Sequence, residues 1–175
     1  MLDYASRDPS SDPAAVRIAL TPEERGWQPE PYSILRQVLG PDFHGPSSSH
    51  TAAPQLIALK ARELLGGTPD RAYVTLYNSF ATTGKGHGTD TAIIAGLLGL
   101  ATTNPDTPNA DAIAKEKGLT IEWETRHDDA DYRHPNGVAL DLERDGVRLQ
   151  MYAISTGGGN FRVLIINLNA SALAA

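Results

Sequence analysis

Three consecutive serines, a histidine and a threonine stand together in Gly45-Pro46-Ser47-Ser48-Ser49-His50-Thr51-Ala52-Ala53-Pro54. Such side chains make a poor core and a good lining for a polar pocket. Just downstream, Leu56, Ile57, Ala61, Leu64 and Leu65 recur at helical spacing, and Gly66-Gly67 supplies a stop. A proline sits in a helix without cost only in the first turn, so Pro54 makes Thr51 the expected N-cap. Ser47, Ser48, Ser49 and His50 then lie ahead of a helix N-terminus, where free N–H groups and the dipole favour an anion. A carboxylate or phosphate held among hydroxyls beside an imidazole is the chemistry on offer. A serine-rich helix cap is the plainer reading.

A second stretch has the same character. Thr82-Thr83-Gly84-Lys85-Gly86-His87-Gly88-Thr89-Asp90 carries glycines at alternate positions, which favour exposed backbone N–H groups and unusual φ values. It is neither a Walker loop nor a dinucleotide fingerprint. A strand precedes it (Ala72 to Tyr77) and a helix follows (Ala92, Ile93, Ala95, Leu97, Leu98, Leu100), capped by Thr89 or Asp90. That helix is apolar nearly all round, so it should be buried. His87 thus joins His50 at a second expected helix N-terminus. Lone histidines are more often hydrogen-bonded structural residues; two in matching junctions reverse that preference. His44, His127 and His134 lack such a setting and read as surface residues.

The elements that position these loops follow from the rest of the chain. Its 175 residues suit one domain, and 41% hydrophobic residues suffice for one core. A formal charge of −6 without long basic runs argues against nucleic acid or an anionic membrane as the main partner. With no cysteine the chain supplies neither a disulfide nor a thiolate-held metal. No signal-peptide pattern or membrane-length apolar run is visible, which makes a cytoplasmic location the expectation. Residues 1–30 read as a flexible or partner-dependent arm, 31–169 as the domain and 170–175 as a frayed tail. Within the domain, Ser33 to Leu39 predicts a short helix and Ala110 to Lys117 another, capped by Asn109. Strands are predicted at Leu119 to Thr125, Val138 to Glu143, Val147 to Ile154 and Phe161 to Leu168. Asp145-Gly146 is a strong hairpin signal; Gly157-Gly158-Gly159 marks either a wide turn or a close approach of backbone to ligand. Strands gathered after helices predict an α+β fold, a largely antiparallel or mixed sheet with helices on one face.

Taken together, Gly45 to Thr51 and Thr83 to Asp90 resemble the paired signatures of the β chain, or β domain, of bacterial iron–sulfur-dependent L-serine dehydratase. Ser33-Ile34-Leu35, Gly40-Pro41 and Gly157-Gly158-Gly159 fit the same pattern, and the likeness runs from Tyr32 to Leu168. Ala53 stands where that family commonly has glycine, and Asp42-Phe43-His44 replaces an apolar run. The chain stops where some β chains continue into a small regulatory module, so sensing through such a module is not expected. The resemblance implies a fold like an effector-binding domain of some phosphoglycerate dehydrogenases. It also implies a partner: a cysteine-bearing α chain holding a 4Fe–4S cluster, with no cluster and no metal on this chain. The implied reaction is loss of water from L-serine, giving aminoacrylate and then pyruvate and ammonia, a step of serine catabolism that feeds gluconeogenesis. Homodimerisation remains open.

In that reaction an α-proton must be removed and hydroxide expelled. His50 and His87 are the expected catalytic pair, their order unassigned and a base from the partner chain not excluded. Ser47, Ser48, Ser49, Thr51, Gly84, Lys85, Gly86, Gly88, Thr89 and Asp90 are the expected substrate-binding residues. A Ser–His hydrolase is disfavoured by the missing Gly-x-Ser-x-Gly elbow and third member. The stronger competitor is a non-catalytic module that binds serine or another small anion and regulates a partner.

Overall fold

The computed structural model describes residues 16–18, 42–127 and 134–169. In chain order these form β1 (Val16–Ile18), a π-helical turn (Ser48–Ala52) running into α1 (Ala53–Leu65), β2 (Arg71–Tyr77) and α2 (Asn78–Thr83). A 3₁₀ turn (Lys85–His87) leads to α3 (Thr89–Leu98), and a second (Thr107–Asn109) to α4 (Ala110–Glu116). Then come β3 (Thr120–Arg126), β4 (Gly137–Arg144), β5 (Val147–Gly157) and β6 (Asn160–Asn169).

The strands lie in the order β1-β6-β5-β4-β2-β3. Among the described residues only β2 and β3 pair in parallel, from Arg71↔Thr120 to Tyr77↔Arg126; the other described pairs are antiparallel. A parallel pair needs a long crossover, and α2, α3 and α4 provide it. The sheet is therefore mixed and the fold α+β, as the sequence predicts. Alternation decides which face the helices cover: Ala72, Val74 and Leu76 of β2, Val138, Leu140 and Leu142 of β4, and Leu149, Met151 and Ala153 of β5 enter one core with Ile57, Ala61, Ile93 and Leu97. On the other face the almost buried Asp141 carboxylate accepts from Arg148 at 2.6 Å and Gln150 at 3.0 Å, which satisfies its charge.

The predicted all-apolar helix is α3, and its Ala92 to Leu98 are buried. It crosses α1 closely at Gly96, where a Cβ would overlap the Gln55 carbonyl and the Ala58 methyl. Both hairpins are two-residue turns with the left-handed φ pair of type I′: Asp145 (49°) with Gly146 (78°), and Gly158 (60°) with Gly159 (79°). The glycine run is thus a tight hairpin rather than a wide one.

Several boundaries differ from expectation. The helical turn begins at Ser48 with Ser47 as its cap, and Thr51 lies inside it. Of the glycine-rich stretch from Thr82, read as a loop, Thr82 and Thr83 end α2 (Asn78–Thr83) and Lys85–His87 form a 3₁₀ turn. The N-cap of α3 is Gly88, without a side-chain cap from Thr89 or Asp90, and Asn109 gives α4 no side-chain cap either. Of the expected arm, Val16–Ile18 pairs with Leu168 to Ile166 of β6. The helix predicted at 33–39 and the tail at 170–175 lie outside the described residues.

Candidate functional site

Ser47 starts the site. Its hydroxyl accepts the His50 N–H at 3.1 Å, and its carbonyl takes both the Thr51 and Ala52 amides, at 2.8 and 3.2 Å. The turn is widened to i→i+5 bonding, with the Ala53 N–H on the Ser48 carbonyl. Such π turns recur where a helix serves a function. Pro54 follows, and it has no N–H to give to its i−4 carbonyl, that of His50. The Thr89 hydroxyl reaches that carbonyl instead, at 2.5 Å. In return the Thr51 hydroxyl donates to the His87 carbonyl at 2.7 Å. The threonine after each histidine therefore pins the other histidine's backbone.

This lacing sets the His50 and His87 ring centroids 4.8 Å apart, tilted by 39°. Both nitrogens of His50 meet hydroxyls, Nδ1 with Ser49 at 2.9 Å and Nε2 with Ser79 at 3.1 Å. The Phe80 ring packs edge-on against the imidazole at 5.2 Å. Burial, and then the neighbouring His87, push the His50 pKa below the usual histidine value. Both causes favour the uncharged form of the His50 imidazole. His87 is held differently. Its Nδ1 lies 3.0 Å from the Thr83 carbonyl, which can only accept, so Nδ1 carries the proton. In neutral His87 that leaves Nε2 as the lone-pair nitrogen.

The predicted residues divide accordingly. Ser47, Ser49, His50 and His87 come together as one polar cluster, with Ser48 half-buried beside it. Thr51 and Thr89 are buried and their hydroxyls are used between the loops, not aimed into a cleft. The glycine loop is less bare than its composition suggests. The amides of Gly84, His87 and Gly88 bond the carbonyls of Phe80, Gly84 and Lys85, and the Thr89 amide also bonds Gly84. Lys85 and Gly86 are exposed at the tip, and a Cβ on Gly86 or Gly88 would meet nothing within 4 Å. Asp90 accepts the Thr91 N–H at 2.9 Å in the first turn of α3, where a carboxylate suits the dipole.

Sequence reasoning missed Asn78, Ser79 and Phe80. Asn78 adopts φ +51°, the left-handed region that asparagine enters more readily than most residues. This turns the chain sharply from β2 into α2 and brings Ser79 and Phe80 against His50. The turn is strapped by residues 134–136: Asn78 Nδ2 donates to the His134 carbonyl at 3.0 Å and the Ser79 N–H to the Pro135 carbonyl at 2.7 Å. An asparagine followed by a serine directly after a strand was the available signal. Of the three histidines read as surface residues, His44 and His127 are exposed, but His134 is half-buried. Its Nδ1 accepts the Asn136 N–H at 3.1 Å, and burial lowers its pKa.

Among the described residues no group of three or more histidine or carboxylate side chains is placed to hold a metal ion. No described helix is long and apolar enough to cross a membrane, which says nothing of strands.

The family model described as "Serine dehydratase beta chain" matches residues 43–163. That span takes in both laced loops, the 134–136 strap and the glycine hairpin. Among curated proteins, the chain is 42% identical over 136 residues to the "Probable L-serine dehydratase, beta chain" of Bacillus subtilis, covering 78% of this chain and 61% of that one. It is 35% identical over 132 residues to the "L-serine dehydratase, beta chain" of Peptoniphilus asaccharolyticus, covering 75% and 59%. With "L-serine dehydratase 1" of Escherichia coli it shares 33% identity over 124 residues, 62% of this chain and 26% of that protein. The chain thus spans about three-fifths of the length of the β chains it matches. By the family model and these two β chains together, it belongs to the serine dehydratase beta chain family.

Proposed function

We propose that this chain is the β subunit of a two-chain L-serine dehydratase, and that it lays the His50–His87 pair over the cleft of a cluster-bearing α chain. The observation that carries this reading is the pair itself, two imidazoles held 4.8 Å apart by reciprocal threonine bonds. A site that only binds an anion needs donors; a pair with one neutral ring and one ring whose lone pair is oriented serves proton transfer.

His87 takes the substrate α-proton at Nε2, because its Nδ1–H is committed to the Thr83 carbonyl. His50 stays uncharged while it does so, since a charge on His87 opposes a second one beside it. Ser47, Ser48, Ser49 and the exposed Lys85–Gly86 tip are the groups left to meet the substrate carboxylate. Loss of the α-proton and of the β-hydroxyl gives aminoacrylate, which takes up water to yield pyruvate and ammonia. The chain has no cysteine and so no thiolate for a 4Fe–4S cluster. Such a cluster belongs to the partner, where it would polarise the leaving hydroxyl. A cytoplasmic setting and a role in serine catabolism go with this reading.

The competing reading is a regulatory module that binds serine or a similar anion. Anaerobic reconstitution with a cysteine-bearing α chain separates the two. The dehydratase reading expects pyruvate from L-serine and a fall in maximal rate when His87 is replaced; a regulatory module would keep that maximal rate and change only its serine dependence.

A further inference from the structure

The half-buried His50 has a hydroxyl on each ring nitrogen, and each hydroxyl can either donate or accept. A neutral imidazole donates from one nitrogen and accepts at the other, so one of Ser49 and Ser79 must give a proton to the ring while the other receives one. Serine hydroxyls rotate and can do either. Two complete patterns therefore exist. In one, Ser49 donates to Nδ1 and Nε2–H donates to Ser79; in the other, Ser79 donates to Nε2 and Nδ1–H donates to Ser49. Beyond Ser49 lies the Ser47 hydroxyl at 3.3 Å, which already accepts the His50 amide. Ser47, Ser49 and Ser79 are all half-buried, so both ends of the chain of groups stop short of the sealed core.

We propose that Ser79, His50 and Ser49 form a proton relay into the cleft, with Ser79 its inner end. In one passage the Ser79 hydroxyl proton goes to the departing hydroxide, making water. Ser79 takes the proton of His50 Nε2, and His50 Nδ1 takes that of Ser49. Ser49 is refilled through Ser47 or from solvent. The ring changes tautomer and never carries net charge, in keeping with a neutral imidazole beside His87. The α-proton held on His87 later returns to solvent, so protons balance. Rotation of the hydroxyls and return of the tautomer reset the path. The wiring stands on the geometry alone; the identity of the hydroxide rests on the dehydratase reading.

The test uses the full chain labelled with ¹⁵N-histidine, in which nitrogen shifts report the tautomer of each ring. Ser79→Ala leaves Nε2 without a partner, and a buried lone pair is tolerated better than a buried N–H, so His50 should move to the Nδ1–H form bonded to Ser49. Ser49→Ala should move it the opposite way, to Nε2–H on Ser79. Threonine at either position restores the wild-type mixture, while His87 stays Nδ1–H throughout. The same His50 tautomer in both alanine variants overturns the relay. In the reconstituted enzyme Ser79→Ala should lower kcat at least about tenfold with little change in KM, and Ser79→Thr should recover it. An unchanged kcat also overturns the relay. If the wild-type complex makes no pyruvate, the dehydratase reading fails, and opposite tautomer responses still support the wiring.

Discussion

The Thr89 hydroxyl donates to the carbonyl of His50 at 2.5 Å, the carbonyl that Pro54 cannot serve. The matching bond from Thr51 to the His87 carbonyl closes a reciprocal clamp between two loops 36 residues apart in sequence. Distance between the imidazoles is thus set by backbone pins, not by contact of the rings alone.

Thr89→Val and Thr51→Val keep shape and remove the hydroxyl, leaving a carbonyl with one donor fewer. Each is expected to cost about 1–3 kcal/mol in urea unfolding. Because both bonds hold the same two loops, the double variant should lose less than the sum. Fully additive losses, or none, would mean the loops hold their spacing without the clamp.

Acid should weaken the fold through His50 and His134. Both have folded pKa values lowered from 6.5, His50 by burial and then His87, His134 by burial. The unfolded chain therefore binds protons first, and stability falls as pH drops below 6.5 until the folded values are passed. His50→Gln should flatten part of that slope in urea midpoints measured from pH 7 downward. A slope as steep as wild type would contradict the assignment.

Ser155 is 1% exposed, and among the described residues its hydroxyl has no hydrogen-bond partner. Removing such a group relieves an unmet demand, so Ser155→Ala should be neutral or more stable by up to about 1 kcal/mol. A clear drop in the thermal midpoint would show that the hydroxyl is satisfied in solution.

Expressed alone under anaerobic conditions with iron and sulfide, the chain should carry no stoichiometric cluster and release no pyruvate from L-serine. Bound cluster or turnover in the isolated chain would defeat the two-chain account.

Much of this arrangement was legible beforehand. The approximate alternation in Ala72 to Tyr77 and the apolar run of α3 point to a strand and a buried helix, and Asp145-Gly146 announces its hairpin. The histidine loops were legible because Ser, His, Thr and Gly are so unlike core residues. What sequence could not show were long-range bonds. Pro54 suggested a helix start at Thr51, but Thr89, far along the chain, serves the His50 carbonyl and lets a π turn begin at Ser48. Ser79 is not legible in the sequence because its position depends on a left-handed Asn78 strapped by His134 and Pro135. Thr51 and Thr89 look from their neighbours like ligand donors; only the fold reveals that their hydroxyls are already bonded.

The central claim is that the His50–His87 pair takes part in chemistry. Its most direct test is an anaerobic serine titration of the reconstituted two-chain enzyme with wild type, His50→Ala and His87→Ala, measuring pyruvate and bound iron in the same samples. Both variants should keep wild-type iron and lose kcat/KM, His87→Ala by about 10²-fold or more, as expected for a missing general base. Wild-type maximal rate in both variants at saturating serine would contradict the account and leave this chain a regulatory cover.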